Sequence, residues 1–247
     1  MTRLDQALVE RGLCESREKA KRAILAGTVR VNQQRAHKAS DDVKPGDEVT
    51  LDVPEKYVSR GGLKMEHALK YFQVKTPGTV AIDLGASTGG FTDCLLQAGT
   101  TKVYAVDVGN GQLAWKLRQD PRVVVMEKTN ARNLTKASFG EGFALVDIIT
   151  IDCSFISLRK IVPVAVEFLK PGGRIVALIK PQFEAGKEDV DAGEGVITDP
   201  LIHDRVIKDF AEFIKQRKNL LWLGLTESPL LGPAGNKEFL VLLEKTS

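Results

Sequence analysis

The pattern of apolar and polar positions changes near residue 78. Beyond it, apolar runs of strand length follow one another, separated by helical or loop stretches: VAIDLG, KVYAVDV, RVVVME, VDIITID and GRIVALIK, with two later runs, NLLWLGLTESP and KEFLVLLEK. Runs that are apolar at successive positions are typical of strands buried on both faces. Strands that alternate with helices predict a parallel sheet covered by helices on both sides, which is an α/β fold.

The pattern before residue 57 differs. Apolar residues recur at helical spacing over residues 3–13, and Ser16 is placed to cap a second helix that ends at Gly27. Short strand-like pieces follow, TVRVNQQ and EVTLDV. The sequence therefore predicts a small α+β domain at 1–52, a linker at 53–61 and a larger domain at 62–247.

Charge is unevenly distributed along the chain. Residues 1–40 carry nine Lys/Arg against four Asp/Glu, whereas residues 41–57 carry two against six. The net charge of the whole chain is only +3. A basic surface confined to the first forty residues attracts polyanions, so the small domain is predicted to bind nucleic acid.

Cysteine, histidine and hydropathy exclude several classes of protein. Cys14, Cys94 and Cys153 have no close spacing, which is typical of a reducing compartment without a disulfide framework. The three histidines form no cluster with them, so no metal site is expected. The charged N-terminus lacks the apolar region of a signal peptide, and no run reaches the ~18 apolar residues needed to cross a bilayer. We expect a cytoplasmic protein without a membrane partner.

The stretch DLGASTGGFT joins the first strand of the larger domain to a helix. Its glycines fit neither the dinucleotide fingerprint nor the P-loop, and no lysine for a triphosphate follows. Asp107 ends the second strand about 20 residues later, where a carboxylate can bind both ribose hydroxyls. These features favour an adenosine ligand without phosphates, such as S-adenosylmethionine. The candidate cofactor-binding residues are Asp83, Gly85, Ala86, Ser87, Thr88, Gly89, Gly90, Phe91, Asp107 and Asn130.

The pattern D-L-G-A-x-x-G-G-[FW] resembles the first motif of the FtsJ-like methyltransferases that methylate ribose. One departure is Ser87-Thr88, which stands where many members have Ala-Pro. The pieces RLD, SREKAKRAILAG and VRVN resemble an RNA-binding motif shared by a ribosomal protein, pseudouridine synthases and tyrosyl-tRNA synthetases. Together they make the chain similar to the TlyA family, often labelled hemolysin, over residues 3–244.

The resemblance implies a class I Rossmann-like sheet of seven mostly parallel strands with the last antiparallel. It implies an rRNA (cytidine-2′-O)-methyltransferase that uses S-adenosylmethionine and acts on ribosomal RNA or ribosomal subunits. The sequence does not reveal the oligomeric state, for which a monomer is the default expectation. The residues implied to face RNA phosphates are Arg3, Arg17, Lys21, Arg22 and Arg30.

A Lys-Asp-Lys-Glu tetrad is implied as well, and its matches are Lys64, Asp152, Lys180 and Glu238. A ribose hydroxyl is a poor nucleophile, so the site must align it with the methyl group and remove one proton. We expect Lys180 to act as base or to orient the hydroxyl, with Asp152 as its partner. Lys64 and Glu238 are expected to position the substrate. An ammonium group has no lone pair with which to accept a proton, so Lys180 can act as a base only as a neutral amine. The sequence leaves the protonation state of Lys180 open.

Three alternatives are weighed against this interpretation. Cys153, beside Asp152, is a candidate nucleophile for cytosine C5 methylation. A ribosome-assembly factor without catalysis would need the basic domain but neither the tetrad nor the glycine turn. A membrane-lytic protein would need apolar segments that the sequence lacks. The glycine-containing segment 182–198 is either a flap that closes over RNA or a disordered loop.

Overall fold

The computed structural model describes residues 1–52 and 55–246. They form two compact units, Met1–Lys56 and Tyr57–Ser247. Val53 and Pro54, in the predicted linker 53–61, lie outside the described residues. Tyr57, in the same segment, is buried in the core of the second unit.

The first unit is a small α+β domain. Ser16 Oγ accepts a hydrogen bond from the Lys19 amide and caps the second helix, and Gly27, with φ +71°, follows the end of that helix. Both features agree with the prediction from the sequence. Strands β2, β3 and β5 form an antiparallel sheet in the order β3-β2-β5, and β1 pairs with β4. The elements are β1 (Thr2–Arg3), α1 (Leu4–Glu10), α2 (Arg17–Leu25), β2 (Val29–Val31), β3 (Gln34–Arg35), β4 (Asp42–Val43) and β5 (Val49–Leu51).

The second unit alternates strands with helices, as the hydrophobic pattern predicts. Its elements are α3 (Gly61–Tyr71), β6 (Val80–Leu84), α4 (Gly90–Gln97), β7 (Lys102–Val106), α5 (Trp115–Arg118), β8 (Val123–Met126), β9 (Val146–Ile151), α6 (Leu158–Ala165), β10 (Leu169–Ile179), α7 (Pro181–Glu184), α8 (Lys187–Ala192), α9 (Pro200–Lys215), β11 (Leu220–Glu227) and β12 (Phe239–Lys245). Short 3₁₀ turns lie at Ala131–Asn133, Lys136–Phe139 and Val166–Phe168.

Seven strands of this unit form one sheet in the order β11-β12-β10-β9-β6-β7-β8. The five strands from β10 to β8 in this order pair in parallel, whereas β12 is antiparallel to both β10 and β11. Two large apolar clusters cover the sheet and its helices. The predicted fold, a mostly parallel seven-stranded sheet whose last strand is antiparallel, is confirmed.

The segment 182–198 contains helical turns, although its glycines were compatible with a disordered loop. It forms α7 and α8, and Asp199 then caps α9 by accepting a hydrogen bond from the Leu201 amide at 2.8 Å. Pro200 occupies the first helical position, where its fixed φ suits a helix start.

Candidate active site

The turn between β6 and α4 requires glycine at two positions for different reasons. Gly85 has φ +84°, and a Cβ there would lie 2.7 Å from the Asp152 carbonyl oxygen. Gly89 has φ +99°, and a Cβ there would lie 2.3 Å from Leu117 Cδ1. A side chain at Gly85 would separate the turn from the end of β9, whereas one at Gly89 would displace the core. The turn is thus held close to the strand that carries Asp152.

Asp83 supports this turn from beneath. Its side chain is fully buried, and its carboxylate accepts hydrogen bonds from Thr92 Oγ1 at 2.7 Å and Thr150 Oγ1 at 2.8 Å. Burial, opposed in part by these hydroxyls and assisted by the charge of Asp152, raises the pKa of Asp83 to about 6. Neither Asp83 nor Gly89 lines a cavity, so the structure does not bring these two candidate cofactor residues to the site surface.

Two adjoining cavities open at the carboxyl ends of the strands. The larger has a volume of about 560 Å³ and contains the tetrad side chains together with most of the glycine turn. The smaller has a volume of about 290 Å³ and contains Asp107 and Asn130. Gly85, Ser87 and Asp152 line both cavities, as does Ser154. A ligand that fills both would therefore pass the glycine turn and the end of β9.

The carboxylate of Asp107 is fixed by backbone amides. Its Oδ2 accepts from the Ser87 amide at 2.8 Å and its Oδ1 from the Gly109 amide at 2.7 Å. Each carboxylate oxygen can accept a further hydrogen bond, so this group can still receive a vicinal diol. Asn130 Oδ1 accepts from the Arg132 amide at 3.0 Å, which caps a 3₁₀ turn and holds the side chain at the cavity wall.

Lys180 lies between Asp152 and Ser154. Its Nζ is 2.6 Å from Asp152 Oδ1 and donates a hydrogen bond to Ser154 Oγ at 3.0 Å. Asp152 Oδ1 makes no hydrogen bond of acceptable angle, so its contact with Lys180 is an ion pair without hydrogen-bond geometry. Lys180 is nearly buried, which leaves its amine confined to the cavity and to these two neighbours.

Lys64 and Glu238 form the second pair of the tetrad. Lys64 Nζ on α3 donates to Glu238 Oε2, immediately before β12, and both side chains are buried. Glu238 Oε1 is also buried and has no hydrogen-bond partner. A buried carboxylate oxygen without a partner is costly, and this one belongs to a residue that lines the larger cavity. The structure thus brings all four predicted catalytic residues to one cavity.

Ser154 and Phe155 are further residues at this site, and no sequence pattern predicts them. Both follow Asp152 in the stretch DCSF. Phe155 has φ +61°, is 90% exposed, and lies with its ring 5.1 Å from that of Phe183. An exposed aromatic ring in a backbone conformation unfavourable for its side chain indicates a functional constraint.

Cys153 lies in the wall of the smaller cavity, and the charge of Lys180, which favours the thiolate, is outweighed there. Burial, followed by the negative charge of Asp152, raises the pKa of its thiol to about 12. A nucleophilic cysteine needs its thiolate form, and this environment disfavours the thiolate. The geometry therefore disfavours cytosine C5 chemistry at Cys153.

The five candidate RNA-binding residues lie in the first unit, and acidic residues hold four of them. Arg3 and Arg17 both pair with Asp5, whose side chain is buried. Burial alone would raise the pKa of Asp5, but the hydrogen bonds and charges of the two arginines bring it to about 2. Arg30 pairs with Asp52, Lys21 lies 3.6 Å from Glu18, and Arg22 is exposed.

Within residues 1–52 and 55–246, no three His, Cys, Asp or Glu side chains are arranged to hold a metal ion. The same part of the chain contains no helix long and apolar enough to cross a membrane.

The chain matches known protein families over both of its units. Residues 57–245 match the model of the FtsJ-like methyltransferases, and residues 2–49 match the S4 domain. The chain is 52% identical to YqxC of Bacillus subtilis, over 98% of this chain and 85% of that protein. It is 44% identical to the 16S/23S rRNA (cytidine-2'-O)-methyltransferase TlyA of Mycobacterium tuberculosis, over 98% of this chain and 89% of that one.

A solved structure of a hemolysin-named protein from Streptococcus thermophilus is 45% identical and superimposes with a TM-score of 0.75, covering all of this chain and 89% of that one. These matches extend over both units and confirm the family that the sequence motifs predict. The chain belongs to the TlyA family of FtsJ-like methyltransferases and carries an S4 domain in its N-terminal unit.

Proposed function

We propose that this enzyme transfers a methyl group from S-adenosylmethionine to the 2′-hydroxyl of a cytidine in ribosomal RNA. The observation that carries the proposal is the meeting of Lys64, Asp152, Lys180 and Glu238 in one cavity that adjoins the Asp107 cavity. The nucleoside comes from the 44% identical relative, which is named for cytidine 2′-O-methylation. A ribosomal substrate would place the reaction in the cytoplasm.

The two cavities fit S-adenosylmethionine in size and donor set. Asp107 would hold the ribose hydroxyls of the adenosine half, with Asn130 beside the base. The backbone of the glycine turn, at Gly85 and Ser87, would follow the ligand into the larger cavity, since both residues line both spaces. When bound, the cofactor supplies a methyl group on a positively charged sulfur, and the Asp107 and Asp152 carboxylates lining this path favour that charge.

The larger cavity would receive the ribose of the target nucleotide. Lys180 would accept the proton of the 2′-hydroxyl as that oxygen takes up the methyl group, a role that requires a free lone pair on its nitrogen. Ser154 and Asp152 hold its nitrogen in place. Glu238 Oε1 accepts a hydrogen bond from the substrate, while Lys64 fixes Glu238 through Oε2. Catalysis then rests mainly on alignment.

We assign RNA binding to the predicted domain 1–52. Arg3, Arg17, Lys21, Arg22 and Arg30 would contact phosphates, which position an RNA without reading its sequence. Asp5 would hold Arg3 and Arg17 in fixed directions, because it pairs with both. The selection of one nucleotide for methylation would then depend on contacts between the second unit and the RNA bases.

The test is methyl transfer from labelled S-adenosylmethionine to ribosomal subunits that lack native modification, followed by alkaline digestion. Label in an alkali-resistant dinucleotide, lost in Lys180→Ala, supports ribose methylation by the tetrad. We expect the loss to be about 10²- to 10⁴-fold, as for removal of a general base. Cofactor affinity should stay within a few-fold of the wild type, because Lys180 lies outside the Asp107 cavity.

Two other outcomes would contradict the proposal. Label released as a mononucleotide would indicate methylation of a base. Binding of S-adenosylmethionine and ribosomal subunits without transfer to any subunit would favour an assembly factor that has lost catalysis.

A further inference from the structure

The loop that presents Glu238, residues 228–238, connects β11 to β12. Both of its end residues are buried, and of residues 229–237, all of which the structure describes, only Gly232 and Asn236 are buried. Arg60 donates a hydrogen bond to the Leu231 carbonyl at 2.9 Å, and this bond is exposed. Between the two ends of the loop, Asn236 is therefore the one residue whose polar side chain is buried, and its contacts bear directly on the position of the loop.

Asn236 binds the backbone of the segment that precedes α9. Its Oδ1 accepts from the Ile197 amide at 2.8 Å, and its Nδ2 donates to the Gly195 carbonyl at 2.9 Å. Asn236 is 1% exposed, and its bond to the Ile197 amide is buried, whereas the bond to Gly195 is half-buried. Loss of this amide would leave a buried backbone donor without its partner, which costs about 1–3 kcal/mol.

A second contact joins the same segment to the residue after Glu238. His203 Nε2 lies 2.9 Å from the Ile197 carbonyl oxygen, and because that oxygen can only accept, this nitrogen carries the proton. The His203 ring lies 5.6 Å from the ring of Phe239, edge to face. Glu238 is thus flanked by Asn236 and Phe239, and both are tied to residues 195–197.

The backbone of the loop passes this restraint to the Glu238 carboxylate. The Gly232 amide donates to the Asn236 carbonyl at 2.9 Å, and the Ser228 amide donates to the Glu238 carbonyl at 2.8 Å. A Cβ on Gly232 would lie 2.6 Å from Glu238 Oε1, so the loop backbone packs directly against this buried oxygen, which has no hydrogen-bond partner. A shift of the loop would therefore move that oxygen.

We propose that Asn236 is a positioning residue for Glu238. By fastening the loop 228–238 to residues 195–197, it sets the direction in which Oε1 meets the substrate hydroxyl. The segment before α9 is then a fixed support for the catalytic loop, which is a role distinct from closing over RNA. This inference rests on the proposed function, since it gives Glu238 a substrate to meet.

The kinetic test compares Asn236→Ala in two backgrounds. In the wild type we expect kcat to fall about ten- to a hundredfold, as for a misplacement of roughly 1 Å, with KM for S-adenosylmethionine unchanged. In a Glu238→Gln background the same change should lower kcat less than about twofold, because the carboxylate is already gone. An equal factor in both backgrounds would overturn the proposal, since it would show an effect independent of Glu238.

Thr76→Val is the matched control. Thr76 is buried, and its hydroxyl donates to the Ala98 carbonyl at 2.6 Å before β6, at the end of the sheet opposite the site. This variant loses one side-chain hydrogen bond to the backbone, whereas Asn236→Ala loses two. It should lower the melting temperature by a smaller amount while leaving kcat unchanged.

Hydrogen exchange tests the restraint without catalysis. In Asn236→Ala, the Ser228 and Gly232 amides should exchange at least about tenfold faster, because the loop loses its anchor. Unchanged exchange at both amides would overturn the proposal. If the wild-type protein methylates no ribosomal subunit, the proposed function fails, and the exchange result still decides whether Asn236 holds the loop.

Discussion

Lys64 and Glu238 form a buried ion pair although they are 174 positions apart in the chain. The pair connects α3, which opens the second unit, to the start of β12, near its end. It therefore forms one side of the larger cavity and supplies two of the four tetrad side chains that line it. Mutation can separate what this ion pair contributes to the stability of the fold from what it contributes to methyl transfer.

We expect Lys64→Met and Glu238→Met each to lower the free energy of unfolding by about 3–5 kcal/mol, since each leaves one buried charge unpaired. The double variant should recover most of that loss, because two apolar side chains of similar volume replace the pair. It should remain inactive. Chemical denaturation measures the first effect and methyl transfer the second. A double variant as unstable as the singles would contradict this account.

Asp83 should make stability depend on pH. Its pKa is about 6 in the folded state and near 4 in the unfolded chain, so the folded protein binds the extra proton between these values. The contribution of Asp83 is fully present below pH ~4 and is lost as the pH rises through about 6.

Relative to Asp83→Asn, the free energy of unfolding of the wild type should fall by roughly 3 kcal/mol over that range. Denaturation of both proteins at pH 4, 5, 6 and 7 measures the difference. Parallel curves for the two proteins would show that burial does not raise this pKa.

Cys153→Ser should keep full methyl transfer. The thiol, with a pKa of about 12, is not a nucleophile at neutral pH, and serine is close to it in size. The measurement is label incorporation with alkaline digestion, as for the wild type. Abolished transfer with intact binding of S-adenosylmethionine would support covalent base chemistry instead.

Phe155→Ala should weaken the use of RNA without unfolding the protein. The ring is 90% exposed, so its removal costs little stability. If the ring stacks on a base of the substrate, kcat/KM for RNA should fall by about 5- to 150-fold, the equivalent of 1–3 kcal/mol.

Phe155→Tyr keeps an aromatic face and serves as the matched control, for which we expect near wild-type values. Equal kcat/KM in the alanine and tyrosine variants would exclude stacking at this position.

Arg22→Ala should reduce the salt dependence of RNA binding. Each phosphate contact that is lost lowers the slope of log K against log salt by about 0.7–0.9. Lys215→Ala, on the exposed surface of α9 in the second unit, is the matched control and should leave the slope unchanged. Filter binding to an rRNA fragment at several salt concentrations measures both. Identical slopes in Arg22→Ala and the wild type would show that Arg22 does not contact an RNA phosphate.

The class of fold and the chemical character of the site follow from the sequence alone. Apolar runs separated by helical stretches specify a parallel sheet, since strands buried on both faces must be apolar throughout. The glycine turn, Asp107 and the four tetrad residues could be named because they fall at element ends or in a motif that a family shares. Gly85 is an example, because its positive φ excludes most other residues.

The contacts that these residues make, and whether they reach a cavity, depend on the tertiary structure. Asp83 belongs to the same motif as Gly85, yet its side chain turns inward to Thr92 and Thr150 and does not reach a cavity. Asn236 has no signal in the sequence, because its partners are backbone groups about 40 positions away. Contacts between distant segments depend on packing, which local patterns do not encode. The direction of a buried polar side chain is settled by the partner that satisfies it.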